Sequence, residues 1–465
     1  MNVHSYYDCI IIGAGVSGSV IAQELAESGR SVLVLEAGNS FTRKTYPRKE
    51  IDSNSQLYWG GGAELNTSAT LTLLRPKVVG GGSIVNQALM DHFDHNAFES
   101  WKKTSGVSFF DMTIMTPWYE KAEKELAIQT VPENYRNGNA EIFANGFKKN
   151  GFVCAPLTRA QKNCHFENGN DCIECLAGCA IDSKQSMSIT TLKKALQSGA
   201  QLISNFEAIK VKPSRDLQVV SGRHQGGAEY HFSAKKVVMA SGAIGNSKLL
   251  LQSGFSSPSI GKGFYTHPQY MILGLYDKKI EAFKGPLQSY KSNDPGFRLK
   301  GFKLENVFAP PVAISMLIPQ IGSEHMVRMK KISQMACIEV AVRDTNPGEI
   351  SVGSNGKTIV KKELNAEDLK RKALGTEAIY SIFESTGAKE IIPGNLGIGL
   401  HLMGGCAMGV DHSTSVVDPE FKMHDHKNIF IADSSIFPNA PGINPSLTIM
   451  ALSKMAAQQI MKELV

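Results

Sequence analysis

Asp8–Ile12 is a short apolar run that reads as a buried parallel strand. It leads straight into Gly13-Ala14-Gly15-Val16-Ser17-Gly18, after which Val20, Ile21, Leu25 and Ala26 fall at helical spacing. Ser31–Leu35 reads as a second buried strand, ending at Glu36. Strand, glycines, helix, strand and acid in this order make a βαβ unit. Gly13 permits the tight turn, Gly15 lets backbone approach a pyrophosphate at the helix N-terminus, and Gly18 lets the helix lie close on the strand. Glu36 stands 18 residues past Gly18, where a carboxylate accepts from ribose hydroxyls. The same carboxylate repels a 2′-phosphate, which argues against NADP.

The chain has 43 glycines in 465 residues, about 9% against a usual value near 7%. A second cluster, Gly80-Gly81-Gly82-Ser83-Ile84-Val85-Asn86, is flanked by Val78 and Val79 and reads as buried. Its successive N–H groups suit an anion or a flat ligand. Gly60–Gly62 is a third run, expected as a flexible segment near a site entrance. Apolar residues make up 42% and charged residues 20%, and the net charge is 49 − 43 = +6, ordinary values for a globular protein of two or three units. No Lys/Arg tract interleaves with aromatics, so nucleic acid is not an expected partner. No apolar stretch reaches the ~18 residues of a membrane span. The start, MNVHSYYDCIIIGAG, has no basic n-region or cleavage site, so a cytoplasmic location is expected.

Near the other end, His401-Leu402-Met403-Gly404-Gly405-Cys406 is followed by an apolar run ending at Asp433-Ser434. Pro441-Gly442-Ile443-Asn444-Pro445-Ser446 then opens a terminal helix, Ser446–Leu464, whose first turn contains Thr448. Asn444 reads as its cap and Pro445 as a residue of its first turn. Taken alone, His401 and Asn444 are a neutral-pH base and an amide far apart in sequence.

These segments resemble the glucose–methanol–choline (GMC) family of FAD-dependent oxidoreductases. The N-terminal fingerprint through Glu36-Ala37-Gly38 fits, and so do GGGSIVN and the C-terminal stretch. Ala240-Ser241-Gly242-Ala243-Ile244-Gly245 resembles the family's second signature, although Asn246-Ser247 stands where Ser/Thr-Pro is usual and Phe255-Ser256 replaces an aliphatic-Gly pair. The His401-x-x-Gly-Gly-Cys406 motif with Asn444 is most similar to the branch of cholesterol oxidases and other cysteine-bearing members.

The resemblance implies an α/β fold: a discontinuous Rossmann-like FAD domain at 1–100, 185–266 and 400–465, and a substrate domain on an antiparallel sheet at 101–184 and 267–399. It implies that FAD meets Gly13, Gly15, Gly18, Glu36, Ala37, Gly81, Gly82, Ser83, Asn86, Ala208 (or Ile209), Ser241, Gly242, Asp433, Ser434, Asn444, Pro445 and Thr448. The FAD is expected to be noncovalent, because Arg75–Val79 lacks the histidine that tethers it in some members. The implied reaction oxidises a small-molecule alcohol. His401 accepts the hydroxyl proton, Asn444 orients the oxygen, and hydride passes to the flavin. His267, in a Tyr-Thr-His-Pro run, is expected to be structural or to support the site. An O2-using alcohol or sterol oxidase and a non-redox flavin-bound lyase or isomerase remain alternatives.

Cys164, Cys172, Cys175 and Cys179 lie within sixteen residues. The C-x2-C-x3-C tail is similar to iron–sulfur runs, with Ala180 where Pro is frequent. Two readings stand: a [3Fe–4S] or [4Fe–4S] cluster passing electrons to an acceptor subunit, or a thiol-rich loop. The middle of the chain reads as strands at Met271–Asp277, Gly296–Val307, Gln334–Arg343 and Gly348–Glu363, with a helix at Asn365–Gly387. Phe302, Phe308, Met316, Leu317 and Ile318 are candidates for an apolar pocket or for ordinary core.

Overall fold

The structure is a computed structural model that describes residues 6–164, 172–224 and 227–464, with backbone alone at 172–174. Tyr6–Ile12 is the central strand of a parallel sheet. Val32–Leu35 and then Gln201–Ile203 lie to one side of it, with Glu229–Met239 and then His426–Ile431 to the other. The apolar runs at Ile10–Ile12 and Val32–Leu35 are buried throughout, as strands covered on both faces require. Helix Val16–Glu27 packs between Ser446–Glu463 and Thr191–Gln197. An antiparallel meander, Phe206–Lys212, Gln218–His224 and Glu229–Met239, extends the sheet.

The second sheet has ten strands and is antiparallel except where Leu71–Leu73 runs parallel to Glu390–Gly404. Its long central pair is Lys262–Leu275 with Glu390–Gly404. Met335–Val342 and Phe302–Asn306 continue it to one side. Helix Ala366–Thr386 covers these strands. Asn365 and Asp368 form a reciprocal capping box at its start, and Gly387, with φ 88°, ends it.

Three expectations are corrected. Glu64–Leu65 and Leu71–Leu73 belong to the second sheet although they fall within 1–100, and Glu390–Gly404 crosses the expected break at 400. The run Gly296–Val307 is divided: Asp294 caps a short helix, Pro295–Lys300, and Gly301 turns the chain into Phe302–Asn306. The run Gly348–Glu363 is divided as well, into the paired strands Gly348–Val352 and Thr358–Lys361. No described helix is long and apolar enough to cross a membrane.

Candidate active site

The glycine fingerprint is held by contacts that exclude any side chain. A Cβ on Gly13 would sit 2.3 Å from the Ala240 carbonyl oxygen, and one on Gly18 1.9 Å from the Gly13 oxygen. Gly81, at φ 53°, faces Gly15 so closely that a Cβ would lie 2.7 Å from its Cα. The two glycine segments therefore meet backbone to backbone. At Gly82 and Gly242, by contrast, a Cβ would meet no protein atom within 4 Å. Glu36 ties the turn together, accepting at 2.8 Å from the Ala14 N–H and at 2.8 Å from the Gly38 N–H. Burial raises its pKa, and these amides partly offset the rise.

A cavity of about 600 Å³ opens between the two sheets. Gly13, Gly15, Glu36, Ala37, Gly81, Gly82, Asn86, Ala208, Ser241, Gly242, His401, Asp433, Ser434, Asn444 and Pro445 all line it. Three expected residues do not. Gly18 packs helix on strand. Ser83 Oγ is used within the protein, donating to the Gly80 carbonyl at 2.6 Å and accepting from the Met187 N–H at 2.9 Å. Thr448 is fully buried, 2.6 Å from the Tyr119 hydroxyl. Asp433 joins two motifs, because its Oδ2 accepts from the Gly242 N–H at 2.6 Å and from Asn246 at 3.0 Å. Asn246 stands where Ser/Thr-Pro is usual in the family, and here its amide ties the two motifs together. Of the third glycine run, Gly62 lines the cavity, beside Trp59 in a 3₁₀ turn.

His401 is placed by a β-bulge. Tyr265 pairs with Met403 and His267 with Leu400, so His401 and Leu402 together oppose Thr266. His401 takes φ 53°, a left-handed conformation that costs a non-glycine residue about 1–2 kcal/mol. The bulge turns its ring onto His267, with the two Nδ1 atoms 3.0 Å apart. His267 Nε2 accepts from the Gly442 N–H at 2.9 Å. A neutral His267 therefore carries its proton on Nδ1 and donates it to His401 Nδ1. In this order His401 holds its own proton on Nε2. Burial, and after it the Lys303 charge, press the His401 pKa down to about 3. Burial and then His401 hold His267 well below the usual value.

Asn444 is not the helix cap. Pro445 occupies that position without a side-chain cap bond. The amide is claimed instead by a charged network that the sequence did not reveal. Its Oδ1 accepts from Lys303 Nζ at 2.7 Å, and its Nδ2 donates to Asp91 at 3.1 Å and Glu305 at 3.4 Å. Lys303 also donates to Glu305 at 2.8 Å, and Lys291 pairs with Asp91. A cation at the amide oxygen and carboxylates at its nitrogen fix which way the amide points. Lys291, Lys303 and Glu305 sit on middle-region strands and Asp91 on a loop of the N-terminal segment, so only the tertiary fold brings them to Asn444.

The cysteines are described in part. Cys164 and Cys175 pack against the apolar core of the second sheet, and Cys179 is half-buried. The Cys172 side chain lies outside the described residues. Among the described residues, no three His, Cys, Asp or Glu side chains are grouped to hold a metal. The turn 172–177 brings Leu176 and Ala177 to the cavity wall, and Lys184 donates to the Cys175 carbonyl at 2.5 Å.

The description "GMC oxidoreductase" matches the chain twice, at residues 7–269 for the N-terminal part and 353–453 for the C-terminal part. The chain belongs to the GMC oxidoreductase family. It is a FAD-dependent oxidoreductase. An uncharacterised GMC-type oxidoreductase of Mycobacterium tuberculosis is 27% identical over 496 residues, spanning 98% of this chain and 76% of the relative. A long-chain-alcohol oxidase of Arabidopsis thaliana is 25% identical, spanning 98% of this chain and 67% of the relative. The fructose dehydrogenase large subunit of Gluconobacter japonicus is 23% identical, spanning 98% of each. In fold, the chain is similar to Aspergillus oryzae formate oxidase over the full length of both chains, with TM-score 0.76 and 15% identity. The GMC cradle fits its cofactor. Bare backbone at Gly15, Gly81, Gly82 and Gly242 borders the cavity, and the open space at Gly82 and Gly242 leaves room for a dinucleotide.

Proposed function

We propose that the enzyme oxidises an alcohol to a carbonyl at the end of the cavity where His401 and Asn444 stand. The observation that carries this reading is their placement: two polar side chains 43 residues apart in sequence line one cavity with the glycine cradle, and the Lys303 charge acts on both. FAD, when bound, supplies the redox chemistry. Gly13, Gly15, Glu36, Ala37, Gly81, Gly82, Asn86, Ala208, Ser241, Gly242, Asp433, Ser434 and Pro445 are the residues we assign to holding it. With no histidine at Arg75–Val79, the attachment we infer is noncovalent.

His401 meets the substrate oxygen through Nε2. In the resting hydrogen-bond order that atom is a donor. Its expected role as proton acceptor needs the other tautomer, and His267 must first release the Gly442 N–H. Leaving that amide unpaired costs about 1–3 kcal/mol. A substrate bound at about 1 mM to 1 μM contributes about 4–8 kcal/mol, enough to offset it. Asn444, its amide fixed by Lys303, orients the oxygen beside it.

Electrons leave to an acceptor other than NAD. Oxygen and a protein acceptor both suit the family. The cysteine spacing, together with the 172–177 turn on the cavity wall, is the argument for an iron–sulfur exit on that side. The test is anaerobic mixing of the FAD-loaded enzyme with a panel of alcohols, sugars and sterols. Bleaching of the flavin absorbance supports the reading. Product formed while the flavin stays oxidised would replace it with a lyase or isomerase.

A further inference from the structure

The second sheet sets three strands side by side on the cavity wall. Register places Glu305 opposite Glu339, and Glu339 opposite Met271. Gln269 lies two residues from Met271, on the same face. Two carboxylates directly across a strand pair repel if both are charged. Their partners decide which one keeps a proton. Glu305 accepts from Lys303 at 2.8 Å, Gln288 at 3.2 Å and Asn444 at 3.4 Å. Glu339 has no cation of its own. Burial, then the Glu305 charge, push its pKa well above the ordinary value. A neutral Glu339 therefore donates to Glu305.

That leaves a deficit. Glu339 Oε1 and Gln269 Oε1 are both buried without a hydrogen-bond partner among the described residues. The two residues are only 1% and 2% exposed, and both line the cavity. Much of the nearby wall is apolar: Met271, Leu287, Val307, Phe308, Leu317 and Ile398. Acceptors in such a wall need donors, and a buried acceptor left unpaired costs about 1–3 kcal/mol. A bare alkyl chain supplies none.

We propose that Glu339 and Gln269 form a subsite for further hydroxyls of the substrate, each orphan oxygen accepting one O–H, so that the enzyme prefers diols or polyols to simple alkanols. The proposal deepens the alcohol-oxidation reading and rests on it for turnover. A neutral hydroxyl fits better than an ammonium group. Asp91 and Glu305 are already balanced by Lys291 and Lys303, so an added cation would face two like charges.

The test uses FAD-loaded enzyme and two readouts. The first is anaerobic flavin reduction by butanol, the butanediols and choline. The wild type is expected to favour the best diol over butanol by at least about 10²-fold in kcat/KM, as sites built to bond a hydroxyl do. Glu339→Leu and Gln269→Leu should bring that ratio towards unity. Glu339→Gln, which keeps an oxygen acceptor and a donor towards Glu305, should preserve it. The second readout is binding without turnover, followed by the shift in flavin absorbance with pinacol and with tert-butanol, neither of which can be oxidised. Pinacol should bind at least about tenfold tighter in the wild type and equally in Glu339→Leu. Equal rates for diol and butanol, or faster reduction by choline, would overturn the subsite. So would a Glu339→Leu enzyme that loses FAD while its substrate ratio stays unchanged, because the orphan oxygens would then serve the cofactor. If no alcohol bleaches the flavin yet pinacol discrimination holds, the oxidation reading falls and the subsite stands.

Discussion

His267 Nδ1 lies 3.0 Å from His401 Nδ1, and the two rings meet at 80° with centroids 5.1 Å apart. The Gly442 N–H on the far nitrogen of His267 makes this contact directional. His267 is thus a positioning residue: it sets both the ring plane and the resting tautomer of His401. His267→Gln can reproduce both bonds, its oxygen accepting from Gly442 and its amide donating to His401. Flavin reduction by a good alcohol should stay within a few-fold of wild type. His267→Leu removes both bonds, and a loss of about 10²-fold is expected, with FAD content unchanged. Stopped-flow reduction of the two variants decides it. Equal rates in both would show that His401 needs no such support.

The pH profile carries the electrostatics. Burial and the Lys303 charge hold His401 at about 3, so it stays neutral across the working range. Anaerobic reduction should be flat from about pH 5 to about pH 8, with no acid limb near the ordinary histidine value of about 6.5. A cation beside an imidazole disfavours the imidazolium, so removing it raises the histidine pKa. Lys303→Met also strips Glu305 of its partner, which acts in the same direction. The variant should show an acid limb moved towards neutral pH. Lys303→Arg, keeping the charge, should stay flat.

The sequence made the local units readable and hid the pairings between distant segments. The βαβ unit could be read because its strand, turn, helix and acid are contiguous, and the helix at Asn365–Gly387 because both of its caps are in the chain. The position of His401 depends on one extra residue in Glu390–Gly404 relative to Lys262–Leu275, and no periodicity shows that. Lys303, Glu305 and Glu339 belong to no motif that marks them in the sequence. Glu305 and Glu339 are buried because the pleat turns them towards the cavity. Asn444 has the sequence context of a cap, but Lys303 and the two carboxylates compete for its amide and win. The division of Gly296–Val307 could have been read from Asp294-Pro295, a helix-start pair just ahead of it.

Lys362 and Asp344 form an ion pair at 2.8 Å with both side chains fully buried. Asp344 also accepts from the Thr266 N–H, one residue before His267. Even with Lys362 present, burial raises the Asp344 pKa to about 6. Lys362→Met leaves that carboxyl without its cation and should cost about 3–5 kcal/mol. The sign of the pH dependence follows from the raised pKa. A protonated Asp344 tolerates burial and an ionised one does not, so the variant should recover stability at about pH 5 and lose it at about pH 8. Thermal melts at the two values test this, and Lys362→Met with Asp344→Asn should flatten the difference. A single variant with the same melting temperature at both would refute it.

Neighbouring glycines separate folding from cofactor binding. Gly81 is at φ 53° with its missing Cβ 2.7 Å from the Gly15 Cα, so Gly81→Ala forces the two glycine segments apart. It should lower both the melting temperature of the apoprotein and the FAD content. Gly82 lies one residue on, at the start of the short helix Gly82–Val85, and its Cβ would meet nothing in the protein. Gly82→Ala should therefore leave the apoprotein melt at its wild-type temperature, because alanine suits a helix better than glycine. If that open space belongs to the cofactor, the same methyl group should weaken FAD binding by at least about tenfold, since backbone at such a site must approach the pyrophosphate closely. Apoprotein melts and FAD titrations on the two variants give four numbers. Full FAD affinity in Gly82→Ala would move the cofactor off this loop.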